Sequence, residues 1–136
     1  MTTLVTPLTG IIAPVLFILM IHSFADSILQ SSKLRYHKML HIIPLLEHVG
    51  IYTLFFIVLS PFVLGLTFVE GLQYSLINGG LHLVIDFVSG RLKNKYLDVD
   101  DAKYLSVVGF DHTLHIIILI YTYVALFPDA YLKLGY

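Results

Sequence analysis

The sequence predicts an all-α integral membrane protein: four transmembrane helices in a bundle, with both termini on the extracytoplasmic side. Three observations carry that expectation. Of 136 residues, 57% are hydrophobic and only 12% charged, with a mean hydropathy of +0.86; an ordinary soluble domain is about a quarter charged. Runs such as 51–59 and 115–127 are apolar on every face, without the polar stripe of a surface helix. Apolar stretches of roughly the 20 residues needed to cross a bilayer recur four times within a single membrane domain, 1–136. The same composition excludes other classes. A net charge of −1 without a clustered basic surface gives nucleic acid nothing to bind. With no Cys there is no disulfide scaffold and no Cys-based zinc or iron–sulfur site.

The first span is expected over about 9–29. No charged residue precedes Asp26, and the segment lacks the basic start and small-residue cleavage site of a signal peptide, so it is expected to be retained. A polar patch follows, Ser31 to Lys38. The second span covers about 39–66, with Pro44 and Pro61 as candidate kinks. Glu70 and Gly71 mark a turn. The third span, about 72–89, is the least apolar, and its Gly79-Gly80 pair reads as a close-packing point. A charged loop over 91–103, including Asp98, Asp100 and Asp101, reads as solvated. The fourth span covers about 104–127, stopped by Pro128. Tyr near span ends, among them Tyr74, Tyr104, Tyr121, Tyr131 and Tyr136, suit interfacial anchoring or packing.

Orientation follows from the basic residues. Lys33, Arg35 and Lys38 lie in the first loop and Arg91, Lys93, Lys95 and Lys103 in the third, seven of the eight; the C-terminal tail has only Lys133. The positive-inside rule makes the first and third loops cytoplasmic and places the chain as a multi-pass protein of the cytoplasmic (inner) membrane.

Ionisable side chains within membrane spans are costly and mark function by default. Here they recur in a pattern. His22 and Asp26, His82 and Asp86, and Asp111 and His115 are each four apart, and His41 and His48 are seven apart, so each pair shares a helical face. Gln30 extends the first stripe and Asn78 the third. Counted from the nearest basic loop residue at ~1.5 Å per residue, Asp26, His48, Asp86 and Asp111 fall roughly 8–15 Å below the cytoplasmic edge. Carboxylates and imidazoles aimed into a four-helix core are what a bundle metal site needs. The oxygen and nitrogen set suits one or two ions of Zn²⁺, Mn²⁺ or Fe²⁺, with His22, Asp26, His41, His48, His82, Asp86, Asp111 and His115 as candidate ligands. The alternative is a set of interhelical hydrogen bonds among the same residues with no bound ion.

The order of these motifs resembles a family of small bacterial and phage membrane proteins catalogued as domain of unknown function 3307. Its first-helix His-x-x-x-Asp-x-x-Leu-Gln corresponds to His22, Asp26, Leu29 and Gln30. A Lys followed by His residues corresponds to Lys38, His41 and His48, and a second His-x-x-x-Asp to His82 and Asp86. The last motif, Asp-Gln-x-x-His, reads Asp111-His112-Thr113-Leu114-His115, so His112 replaces the family's Gln. The basic residue expected soon after the third-helix Asp is replaced by Ser89, with Arg91 and Lys93 following. The resemblance covers about 21–115 and implies a bacterial or phage origin; it implies no activity.

The chemistry expected of such a site is metal-dependent hydrolysis at the cytoplasmic leaflet, since a bound metal lowers the pKa of water and polarises an ester or phosphoryl oxygen. His112, His48 or Glu47 would move protons. Lys33, Arg35, Lys38, Arg91 and Lys93 would form a rim for a lipid head group or other anionic small molecule, although topology alone also explains them. A second expectation is a proton or metal-ion carrier, which with so few helices requires a homo-oligomer and needs polar groups reaching the outer face. Haem is disfavoured, because an axial His has no use for a paired carboxylate.

Overall fold

The computed structural model describes residues 5–130, with side chains from residue 11 to residue 130. Among them there is no strand. Helix α1 (Val5–Ser23) runs into a π-helical turn, Phe24–Ile28, followed by α2 (Ser32–Leu40), α3 (Ile42–Val63), α4 (Phe68–Tyr96) and α5 (Asp101–Leu126). Helices α3, α4 and α5 pack in chain order, α1 lies against α3 and α5, and the short α2 wedges against α3 and α4. The tail residues Tyr131, Lys133 and Tyr136, and the extreme N-terminus on which the expected topology also rests, lie outside the described residues.

Among the described residues, three helical segments are long and apolar enough to cross a membrane: Ile11–Ile28, Ile42–Val63 and Asp101–Leu126. Helix α4 has the length, 29 residues or about 43 Å at 1.5 Å per residue, but not the average apolarity. Its polarity is segregated, however. Ser75, Asn78, His82, Asp86, Ser89 and Lys93 recur every three or four residues and are all buried. Leu76, Ile77, Val84, Val88 and Leu92 point outward. The helix thus has a polar inside and an apolar outside, the reverse of a helix on a soluble protein.

Several boundaries differ from the sequence expectation, each for a local reason. The polar patch after the first span is not a loop: Ser31 caps α2 by accepting from the Leu34 N–H at 3.1 Å. His41, in an extended conformation, separates α2 from α3, so Met39 and Leu40 belong to α2 rather than to the second span. Pro44 falls in the first turn of α3, where no N–H is required, and α3 runs on through Pro61. The expected turn at Glu70-Gly71 is the first turn of α4, opened by a capping box in which Thr67 and Glu70 bond each other's backbone N–H. The reversal comes earlier, at Gly65, whose φ of 65° suits glycine. The charged loop shrinks to 97–100, because α4 continues to Tyr96 and Asp100 caps α5. The Lys103 backbone N–H, with its ammonium 3.1 Å away, holds the Asp100 carboxyl below its ordinary pKa.

Away from α2 the bundle is closed by aromatic packing. Tyr52, Phe56, Tyr74, Leu119 and Tyr123 are buried together with Leu64 and Leu66. Two of the phenols reach backbone carbonyls: Tyr74 donates to Leu119 O and Tyr123 to Leu64 O, both at 3.0 Å. Between α3 and α4, a Cβ at Gly79 would overlap the Thr53 hydroxyl and crowd its Cβ at 3.2 Å, so rotating Thr53 would relieve the first contact but not the second. Gly80 faces open space, so only the first glycine of the pair acts as the contact. Gly79→Ala is expected to lower stability by about 1–3 kcal/mol through overpacking, with partial recovery in Gly79→Ala/Thr53→Ala, read from thermal unfolding in detergent. An unchanged midpoint in the single variant would contradict the close approach.

Candidate metal centre

The four longest helices each send polar side chains to one depth of the bundle. Asp26 reaches it from the π-helical turn, where the wider i→i+5 bonding appears in Leu29 N–H donating to Phe24 O at 3.2 Å. His48 comes from α3, His82 and Asp86 from α4, Asp111 and His115 from α5, and His22 from the end of α1. All seven are buried, none more than 4% exposed. Burial to this extent is costly for carboxylates unless cations or donors meet them.

Among the described residues, four ligand atoms form the largest group: Asp26 Oδ1, His48 Nε2, His82 Nε2 and Asp86 Oδ2. His48 Nε2 lies 3.0 Å from His82 Nε2, 3.1 Å from Asp26 Oδ1 and 3.4 Å from Asp86 Oδ2. His82 Nε2 lies 3.5 Å from Asp86 and 3.7 Å from Asp26. Ligand atoms about 2.1 Å from a tetrahedral metal stand about 3.4 Å apart, so these separations suit such an ion. Lys38 enters the same group from α2. Its Nζ is 2.9 Å from both Asp86 Oδ2 and His48 Nε2 and 3.4 Å from Asp26 Oδ1. The lysine thus contacts three of the four ligand atoms and neutralises part of the group's charge.

Asp111 is held differently. Ser89 Oγ donates to its Oδ1 at 2.5 Å and Lys93 Nζ to its Oδ2 at 2.9 Å, so both oxygens are engaged by hydroxyl and ammonium. Beside it, His115 Nδ1 lies 2.8 Å from Asp111 O, fixing the ring through its own helix backbone. His112 is half-exposed, with Nε2 3.8 Å from Asp26 Oδ2. His22 pairs with the Tyr52 hydroxyl at 3.3 Å.

A cavity of about 370 Å³ opens beside the group. The buried Asp26 and Asp111 line its deep end, His112 its wall, and the exposed Arg35 and Tyr36 its mouth. Lys38 and Lys93 also line it. The volume falls in the range of small-ligand sites.

The remaining expected site residues fall elsewhere. His41 is exposed at the end of α2 with its ring near His37, 6.2 Å between centroids, outside the cluster. Glu47 is exposed on α3 although its neighbour His48 is buried, because adjacent helical residues face apart. Lys33 is exposed and does not line the cavity. Arg91 packs its guanidinium over Phe87 at 3.8 Å and donates to the Phe87 carbonyl. Of the basic residues expected around a substrate, Lys38 and Lys93 are ion-paired to carboxylates, and Arg35, which donates to Ser27 O, stays at the mouth. Gln30 donates to Asp26 O and lines the cavity. Asn78 sits off the cluster, linking Tyr74 O and Thr122. Sequence reasoning missed the carboxylate pairing of Lys93, although it continues the stripe of His82, Asp86 and Ser89 at helical spacing. The entry of Lys38 left no local signal, since only tertiary packing of α2 brings it in.

No family model, curated protein or solved structure matches the chain.

Lys93→Met leaves the buried Asp111 carboxylate without its ammonium and is expected to cost about 3–5 kcal/mol. Adding Asp111→Asn should recover much of that loss in a double-mutant cycle of denaturant unfolding. Additive effects would show that the pair is not coupled.

Proposed function

We propose that the chain is a four-span membrane metalloprotein whose Asp26, His48, His82 and Asp86 bind a divalent transition metal and that it hydrolyses an anionic phosphoester or lipid at the cytoplasmic leaflet. The observation that carries the reading is the spacing of the four ligand atoms, drawn from two helices and the π-helical turn into one buried group. Helix α4 serves as the fourth span; its outward Leu76, Val84, Val88 and Leu92 support that placement in lipid. The basic residues of α2 lie at the same end of the bundle as the Lys93 end of α4, which supports a cytoplasmic mouth. The motif order supports kinship with the family of domain of unknown function 3307.

Zn²⁺, Mn²⁺ or Fe²⁺ at this donor set would acidify a water and polarise a phosphoryl oxygen. The protein's own groups do the rest. His112, half-exposed at the cavity wall and next to Asp26, is the residue placed to take a proton from water. Arg35 at the mouth, with Lys38 once released from the carboxylates, would hold the substrate anion. Gln30 and the Tyr36 ring complete a cavity that is polar at depth and amphipathic at its mouth, suited to a head group joined to an acyl chain. The aromatic layer of Tyr52, Phe56, Tyr74 and Tyr123 closes the other half of the bundle, which supports one-sided access rather than a carrier's through-path.

One observation favours a second reading, a metal-free structural network. Lys38 and Lys93 already supply two positive charges to three buried carboxylates, and one protonated His would complete neutrality.

Two measurements separate these. Metal analysis of detergent-purified protein should find stoichiometric Zn, Mn or Fe, lost with phosphoester hydrolysis in Asp86→Ala and His48→Ala; folded wild type that takes up neither Zn²⁺ nor Mn²⁺ would overturn the metal reading. Lys38→Met should keep the wild-type unfolding midpoint when metal is bound. A loss of about 3–5 kcal/mol regardless of added metal would instead mark Lys38 as the network's permanent counter-ion.

A further inference from the structure

We propose a second metal position, formed by His22, Asp26 and His112 and open to the cavity, with the Asp26 carboxylate bridging it to the first. The inference deepens the proposed metalloprotein reading and rests on it for the shared Asp26, while His22 and His112 are ligands of its own. One ligand atom from each of the three residues lies within 4.8 Å of the other two. His112 Nε2 is 3.8 Å from Asp26 Oδ2, and the His22 and His112 rings meet edge-on with centroids 5.8 Å apart. Ligand atoms on a tetrahedral ion stand about 3.4 Å apart. Even a separation of 4.8 Å closes to that with a movement of about 0.7 Å at each end. His112, half-exposed at the cavity wall, has room to move.

The carboxylate has an oxygen to spare for this position. Lys38, His48 and His82 approach Asp26 through Oδ1, at 3.4, 3.1 and 3.7 Å, whereas His112 faces Oδ2. At 3.8 Å that contact is too long for a hydrogen bond, so the imidazole and the carboxylate oxygen face each other without one. His22 is fully buried, and its Nδ1 pairs with the Tyr52 hydroxyl at 3.3 Å while Nε2 has no hydrogen-bond partner. A buried polar atom left bare is costly. A ring held through one nitrogen, with the other free, is also how metal-binding His residues are commonly oriented.

The two positions differ in how they meet the cavity. Of the first group only Asp26 lines it; His48, His82 and Asp86 do not. Of the second, both Asp26 and His112 line it. Four protein ligands close a site, as in structural zinc centres, whereas three ligands leave a position open to substrate. The second position therefore turns the open side of an ion towards the cavity that has Arg35 at its mouth. Two divalent ions set against Asp26 and Asp86 leave net positive charge at the deep end of that cavity, which selects an anionic substrate such as a phosphoester. His112 changes role with occupancy: beside one ion its ring is free to take a proton, and beside two it is a ligand.

The test is Mn²⁺ and Zn²⁺ loading of full-length protein in detergent, with metal counted per chain and Mn²⁺ followed by electron paramagnetic resonance. Wild type should bind two equivalents and give the spectrum of an exchange-coupled Mn²⁺ pair. His112→Ala and His22→Ala, on different helices, should each bind one equivalent with an uncoupled signal while keeping wild-type helix content. Should either alanine variant fail to fold, His112→Gln repeats the test with a side chain closer in size. One uncoupled equivalent in wild type, lost in His48→Ala and kept in His112→Ala, overturns the second position and leaves the first standing. One equivalent lost in His112→Ala and kept in His48→Ala supports the cavity-facing position and overturns the first. No bound metal in wild type overturns both. Two coupled ions that persist in both the His112 and His22 variants overturn this ligand set.

Discussion

Three carboxylates, Asp26, Asp86 and Asp111, are buried inside a bundle whose outer surface is apolar, and the remaining architecture follows from that constraint. A charge in such surroundings must be met by donors or cations at close range. Helix α4 meets it by turning its polar stripe inward. Helix α2 meets it by packing between α3 and α4, delivering an ammonium to two carboxylates from twelve and forty-eight residues away in sequence. The π-helical turn meets it by placing Asp26 within reach of His48 at the point where α1 leaves the bundle. Asp111 has its own solution in Ser89 and Lys93, which is complete without any ion.

The two halves of the bundle therefore obey different rules. In one, aromatic rings and aliphatic side chains fill the space and the few phenols reach backbone carbonyls. In the other, imidazoles and carboxylates crowd together with several polar atoms left without a protein partner, beside an open cavity. Buried polar atoms without a protein partner are unfavourable in themselves, and carboxylate and imidazole atoms so placed gain by binding a cation. That contrast links the fold to the proposed chemistry.

Much of this was legible in the sequence. The apolar runs located α3 and α5 to within a few residues, and the pairs at four-residue spacing, His22/Asp26, His82/Asp86 and Asp111/His115, did converge. Helical periodicity suffices for such inference because it fixes which residues share a face. His41 failed the same test because the helix breaks at that residue, so the seven-residue spacing to His48 spans two helices. The start of α4 was readable but unread: Thr67 and Glu70 form the Thr-x-x-Glu signature of a capping box. The roles of Lys38 and Lys93 were obscured because basic residues near span ends satisfy the positive-inside rule whatever they touch. For Lys38 nothing short of the tertiary structure reveals the contact, since a nine-residue helix must first dock across α3 and α4.

The most direct test of a metal held by His48, His82, Asp26 and Asp86 is X-ray absorption at the metal edge of purified protein. The account predicts a first shell of nitrogen and oxygen at about 2.0–2.2 Å, with the outer-shell scattering of at least two imidazoles. A shell of oxygen alone, without imidazole scattering, would place the ion away from His48 and His82 and contradict it.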